Sequence, residues 1–140
     1  MKKIVITGGL GYIGTELCKI YSGYSWSDKI TIIDRRFISE RVNQIRNWNM
    51  DFVHGDILDK DLINKYCSDA DIVHHLAGIT DVPRVKSESN KDHDENIKKI
   101  AEEGTQNILD VITNKCKIVM PSTHVIYEGL VDVKENIKED

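Results

Sequence analysis

The sequence predicts an α/β protein built on a doubly wound parallel sheet of about five strands. Three observations carry that expectation. Short apolar, β-branched runs alternate with longer segments of helical periodicity, the pattern of repeated strand–helix–strand units. A glycine-rich turn stands between the first run and the first helical segment. An aspartate closes the second run, and small or acidic residues follow the third and fourth.

Taken in order, Lys3–Thr7 is a short apolar run of the kind found in strands buried on both faces. A helix is expected from about Tyr12 to Tyr21, with Ile13, Leu17 and Ile20 on its inner face at spacings of three and four. Ile30–Ile33 reads as the second strand, ending at Asp34. Phe37–Trp48 is ambiguous, although Ile38, Val42 and Ile45 suit a surface helix. Asp51–His54 makes a short third strand. Asp59 then looks like an N-cap, since a carboxylate there accepts orphan backbone N–H groups, for a helix through Tyr66. Ala70–Leu76 is the fourth strand. The polar stretch from Arg84 to Glu95 reads as a solvated loop or helix start. A long helix is expected from Glu95 to Thr113, with Ile97, Ile100, Ala101, Ile108, Leu109 and Ile112 facing the sheet. Lys117–Met120 is the fifth strand, broken by Pro121, and Val125–Asp140 becomes increasingly charged.

Composition narrows the function classes. With 40% hydrophobic and 30% charged residues and only two prolines, the 140 residues suit one globular domain. A net charge of −4 gives no signal for nucleic acid or an anionic membrane, both of which favour clustered Lys and Arg. No apolar run approaches the roughly 20 residues of a spanning helix, and the N-terminus lacks the apolar core of a secretory signal. Cys18, Cys67 and Cys116 are odd in number, widely spaced and free of any Cys-x-x-Cys pair, so they read as thiols of a reducing, cytoplasmic compartment. The five histidines show no metal-ligand spacing, and His74 and His75 face opposite ways in a strand, so no metal is expected.

The chemistry concentrates in Thr7-Gly8-Gly9-Leu10-Gly11-Tyr12-Ile13-Gly14. Gly8, Gly11 and Gly14 have Gly-x-x-Gly-x-x-Gly spacing between a strand and a helix. That is the arrangement of a Rossmann dinucleotide turn. The first glycine permits the turn, the second lets a pyrophosphate approach, and the third lets the helix pack on the strand. The helix start, with Tyr12 and Ile13, then offers free N–H groups and a positive dipole end to the phosphates. Asp34 lies 20 residues beyond Gly14, where a carboxylate accepts both ribose hydroxyls of NAD. A carboxylate there repels the 2′-phosphate of NADP, so NAD is expected over NADP. Arg35 and Arg36 complicate this, since a nearby Arg accommodates that phosphate. They read first as a solvated turn, with Arg35 kept among the residues that face the cofactor.

These residues carry a resemblance to the extended short-chain dehydrogenases/reductases, the NAD-dependent epimerases and dehydratases of nucleotide sugars. Thr-Gly-Gly-x-Gly-Tyr-Ile-Gly is similar to that family's opening motif. His54-Gly55-Asp56-Ile57, followed by Asp59, resembles its segment after the third strand, where Asp56 and Ile57 are implied to contact adenine. Asp71–Gly78 is similar to its fourth strand, whose small residues line the cofactor, implicating Leu76, Ala77 and Gly78. Gly104-Thr105-x-Asn107-Ile108-Leu109 resembles its next helix, and Pro121–Gly129 its Ser-Ser-x-x-Val-Tyr-Gly segment, which places the catalytic hydroxyl at Thr123. The resemblance covers nearly the whole chain and implies a Rossmann domain over residues 1–140. The family's last strands and its substrate domain would lie beyond Asp140. It also implies NAD and a nucleotide-sugar substrate as partners.

Two departures stand out. The family usually has an Asn three residues before the Gly-Thr pair, where this chain has Ala101. The family's catalytic Tyr-x-x-x-Lys is missing. Tyr12, Tyr21, Tyr24, Tyr66 and Tyr127 are followed four residues on by Glu16, Ser25, Asp28, Ala70 and Val131. Two readings remain open at this point. One is the NAD-binding portion of a sugar-nucleotide epimerase, dehydratase or reductase, catalytically incomplete in these residues. The other is a non-catalytic NAD-binding regulatory or sensor module. In either case the fifth strand is expected near a sheet edge, with Ile118 and Met120 uncovered, which invites homo-oligomers.

Overall fold

The computed structural model describes residues 1–24, 28–79 and 91–122, with the side chains of 91–94 excepted. Strands and helices alternate along the chain: β1 (Lys3–Thr7), α1 (Tyr12–Ser22), β2 (Lys29–Asp34), α2 (Ser39–Asn47), β3 (Asp51–His54), α3 (Lys60–Cys67), β4 (Ile72–His75), α4 (Lys91–Val111) and β5 (Lys117–Val119). All four strand pairings are parallel, in the order β3-β2-β1-β4-β5. β1 is therefore central, and the strand order reverses beside it, between β1 and β4. Ligands of open α/β sheets bind at such a reversal, outside the carboxyl ends of the strands.

The middles of β1 and β2 are mostly apolar because helices cover both faces. Alternate residues of β1 enter different cores. Ile4 and Ile6 pack with Leu10, Cys18, Ile32, Val42, Ile45 and Met50. Val5 packs on the other side with Ile33, Ile57, Ile63, Cys67, Val73, Ile100 and Ile108. Burial pushes the Cys18 and Cys67 thiols up to about 12, so both act as small apolar fillers.

The ambiguous Phe37–Trp48 stretch contains the helix α2, with Val42 and Ile45 buried and Ile38 packed against the same core. It stops where Asn49 takes a left-handed conformation (φ 59°), a turn that asparagine tolerates, and the chain enters β3. The Asp59 cap forms as expected: its Oδ1 accepts the Leu62 N–H at 3.0 Å. Helix α4 starts earlier and ends sooner than the periodicity predicts. Its first residues, from Lys91, carry no apolar repeat to reveal them, and Thr113 closes a turn by accepting the Cys116 N–H at 3.0 Å.

Two helix faces need correction. In α1 the buried residues are Gly14 and Cys18, with Leu17 packed beside them, while Ile13 and Ile20 are exposed. In α4, Ile100, Gly104, Asn107 and Ile108 are buried, whereas Ala101 and Leu109 are exposed. Closeness decides both cases. A helix lying tight on a sheet buries its small residues, and large apolar ones flanking that seam are pushed to the rim.

Candidate functional site

A cleft of about 550 Å³ opens at the carboxyl ends of β1, β2 and β3, walled on its far side by the loop after β4. The turn from β1 into α1 forms its floor. Gly8 adopts φ 71°, and a Cβ there would lie 2.7 Å from the Ala77 nitrogen, so no other residue fits. The turn closes through Gly8 N–H to Ile33 O at 2.8 Å and Gly11 N–H to Gly8 O at 2.9 Å. A Cβ on Gly14 would lie 2.5 Å from Gly8 O, which is how closely α1 approaches the turn. Gly11 caps α1 without a side-chain hydrogen bond, and no acidic residue occupies the first turn. The opening amides of α1 and its positive dipole end are thus uncompensated where they line the cleft.

Asp34 ends β2 at the cleft edge and is 5% exposed. Its Oδ2 accepts the Leu10 N–H at 2.9 Å, tying β2 to the glycine turn. Its Oδ1 accepts the Arg36 N–H at 2.9 Å and pairs with Arg36 Nε at 3.4 Å. That differs from a carboxylate left open to accept two ribose hydroxyls, because Oδ1 already meets two donors. Arg36, exposed and paired with Asp34, lines the cleft together with Arg35. Arg41 of α2 donates to the Leu10 carbonyl, so that residue is held at both backbone ends.

The β3 side contributes Gly55, Asp56 and Ile57. Asp56 shapes the turn by accepting the Leu58 N–H on Oδ1 at 3.0 Å. Leu76, Gly78 and Ile79 line the wall beyond β4. Ala77 does not line it. Its N–H donates to Thr7 Oγ1 at 3.3 Å and its backbone backs Gly8, so it supports the floor from below. Sequence reasoning had no signal for Ile33, Ile79, Ile100 or Pro121, which line the cleft as ordinary apolar residues. Thr123 and Tyr127 lie outside the described residues.

Behind the floor runs a buried polar chain. Thr7 Oγ1 and His75 Nδ1 are 2.8 Å apart, and His75 Nε2 lies 3.1 Å from Thr105 Oγ1 of α4. His74 faces the opposite side of the sheet, 2.8 Å from the Tyr21 hydroxyl. Burial lowers the pKa of both histidines below 6.5. Among the described residues, no group of three or more His, Cys, Asp or Glu is arranged to hold a metal ion, and no helix is long and apolar enough to cross a membrane.

Residues 5–137 match the 3-beta hydroxysteroid dehydrogenase/isomerase family, within the extended short-chain dehydrogenases/reductases. The chain belongs to this family. Among curated members of the wider group, the chain is similar to a dTDP-D-glucose 4,6-dehydratase of Dictyostelium discoideum, at 30% identity over 94% of this chain and 31% of that protein. A CDP-paratose 2-epimerase of Salmonella typhi is 29% identical over 98% of this chain and 41% of its own length. The chain thus spans about a third to two fifths of these relatives. Among solved structures, a UDP-N-acetylglucosamine 4-epimerase from Methanobrevibacter ruminantium, in complex with UDP-N-acetylmuramic acid, superposes with TM-score 0.71 at 25% identity, over 96% of this chain and 42% of that one. A dTDP-glucose 4,6-dehydratase from Bacillus anthracis, in complex with NAD, gives TM-score 0.71 at 21% identity, over 99% and 43%. The fold is the Rossmann fold of these epimerases and dehydratases.

Proposed function

We propose that this chain is the dinucleotide-binding part of a sugar-nucleotide epimerase, dehydratase or reductase, and that it prefers NAD to NADP. The observation that carries the reading is the uncapped start of α1, facing a glycine floor too tight for any Cβ at Gly8 or Gly14. Gly8, Gly11, Tyr12, Ile13 and Gly14 would hold the pyrophosphate. Asp34 and Arg35 would meet the adenosine ribose, Asp56 and Ile57 the adenine, and Leu76 and Gly78 the opposite wall, with Ala77 bracing Gly8 behind the floor. The bound dinucleotide would supply a hydride acceptor. Thr123 would polarise a sugar hydroxyl or carbonyl. The activities for which these three relatives are named, all on nucleotide-linked sugars, support that substrate class. The three free cysteines support a reducing, cytoplasmic location.

A second reading, a non-catalytic NAD-binding module, is favoured by one observation: none of the five tyrosines has a Lys four residues on. A free Tyr titrates near 10, so a base at neutral pH needs a depression of about three units, equivalent to roughly 4 kcal/mol. No Lys stands at that spacing to supply it. Calorimetry with NAD tests the binding reading, and absence of saturable binding rejects it. Incubating the chain with NAD and a panel of nucleotide sugars separates the catalytic question. No NADH above background is expected. Turnover abolished by Thr123→Ala would overturn that expectation and reveal another base.

A further inference from the structure

We propose that Asn107 is a positioning residue for the adenine end of the cleft, acting through Ile57. Asn107 sits on the buried face of α4, 5% exposed, among Ile100, Gly104 and Ile108. A leucine at that position would suit the apolar face better, and asparagine is a poor helix former. The side chain is explained by what it reaches: its Nδ2 donates to the Ile57 carbonyl at 3.0 Å, fifty residues away and buried. One helical turn earlier, Gly104 leaves room for the Ile57 side chain, and a Cβ there would overlap Ile57 Cδ1. Helix α4 therefore grips one residue at two points, its carbonyl through Asn107 and its side chain over Gly104. Ile57 stands in the turn after β3, whose Asp56 carbonyl accepts the Asp59 N–H at 3.1 Å, and it lines the cleft beside Asp56. Moving Ile57 moves the wall on which an adenine would lie.

The proposal rests on the reading that the cleft takes an adenine dinucleotide, and the experiment keeps the two apart. NAD and AMP are titrated into the chain by calorimetry, well below its Tm. No binding of either to the unaltered chain sinks the functional reading itself. Given binding, Asn107→Leu leaves the Ile57 carbonyl unpaired and should weaken both ligands by about tenfold, equivalent to about 1.4 kcal/mol. Gly104→Ala displaces Ile57 from the same helix without touching Asn107, and should weaken both to a similar extent. Because the overlapping atoms, Ile57 Cδ1 and Cγ1, belong to a side chain rather than to backbone, this variant should fold even where Asn107→Leu does not. Adding Ile57→Val to Gly104→Ala removes Cδ1, the nearer of the two overlapping atoms, and should restore part of the affinity. Folded variants that lose thermal stability but keep NAD and AMP affinity within about twofold would show that Asn107 serves packing alone, and the proposal would fall.

Discussion

Asp34 Oδ2 accepts the Leu10 N–H at 2.9 Å, so the carboxylate at the end of β2 is part of the glycine turn as well as a group facing the cleft. Under the proposed reading, cofactor choice and local structure share one side chain. NAD should bind more tightly than NADP by about tenfold, or about 1.4 kcal/mol. Asp34→Ala should abolish the preference, but it also strands a buried N–H at a cost of about 1–3 kcal/mol. Asp34→Asn, which keeps an acceptor oxygen, is the cleaner variant and should bring the two cofactors near parity. Arg36→Ala should widen the margin, because it removes the guanidinium paired with Asp34. Calorimetry showing NADP bound more tightly by the unaltered chain would mean that Arg35 and Arg36 outweigh Asp34.

Two of the motif glycines, Gly14 and Gly11, should fail in different ways. Gly14→Ala drives a Cβ to 2.5 Å from Gly8 O and 2.6 Å from Gly9 Cα, against backbone that has nowhere to go. It should lower Tm sharply as well as abolish binding. A Cβ on Gly11 meets Gly8 O at 3.0 Å and Arg36 Nη2 at 3.6 Å, a milder crowding on the cleft side. Gly11→Val should keep most of the stability and lose NAD binding. Circular dichroism melts beside NAD titrations decide it, and full affinity in a folded Gly11→Val variant would contradict the pyrophosphate assignment.

Stability should fall on mild acidification. Burial lowers the pKa of His75, and of His74, below the ordinary 6.5. Between the folded value and 6.5 the unfolded chain binds protons that the folded one refuses, so the contribution is complete above 6.5 and is lost as pH falls through the folded values. Tm at about pH 5.5 should lie below Tm at about pH 7.5, and His75→Gln should flatten the difference. A Tm that rises on acidification would contradict the sign.

β5 ends the described sheet, with β4 its pairing partner there. Ile118 proves partly buried and packed into the core, so the uncovered apolar residues are Val119 and Met120. An edge strand of this kind offers backbone groups to another chain. Light scattering should report concentration-dependent self-association, weakened by Val119→Lys. A strict monomer at all concentrations would argue that residues beyond Ser122 cover the edge.

Much of the cleft was legible because its chemistry demands residue types that nothing else at those positions would. Gly8, Gly11 and Gly14 announce a backbone shape, and Asp34 stands at the distance one helix and one strand require. The Asp59 cap was legible for the same reason. The pairing of Arg36 with Asp34 was not legible, because an ion pair two residues long has no periodicity to reveal it. The faces of α1 and α4 were misjudged because hydrophobicity was used where proximity rules: Gly14, Gly104 and Asn107 are buried by tight helix–sheet and helix–loop approach, while Ile13 and Leu109 flank the seam. Ala77 was placed in the cleft by motif likeness, although its role is to brace Gly8 from behind.

The central place of β1 in the sheet also sets an order of events during folding. β1 finds β2 within about thirty residues, but its other neighbour is distant: Thr7 meets His75 across a separation of 68 residues. At synthesis rates of roughly 5–20 residues per second, β4 leaves the ribosome about 3–14 seconds after β1. For that interval the chain holds its most apolar strand with one edge open. Parallel pairing across such distances carries a loop-closure cost before any contact repays it, which slows folding. Docking of β4 is then the step that closes the sheet's centre and completes the glycine floor, because Ala77, which backs Gly8, arrives with it.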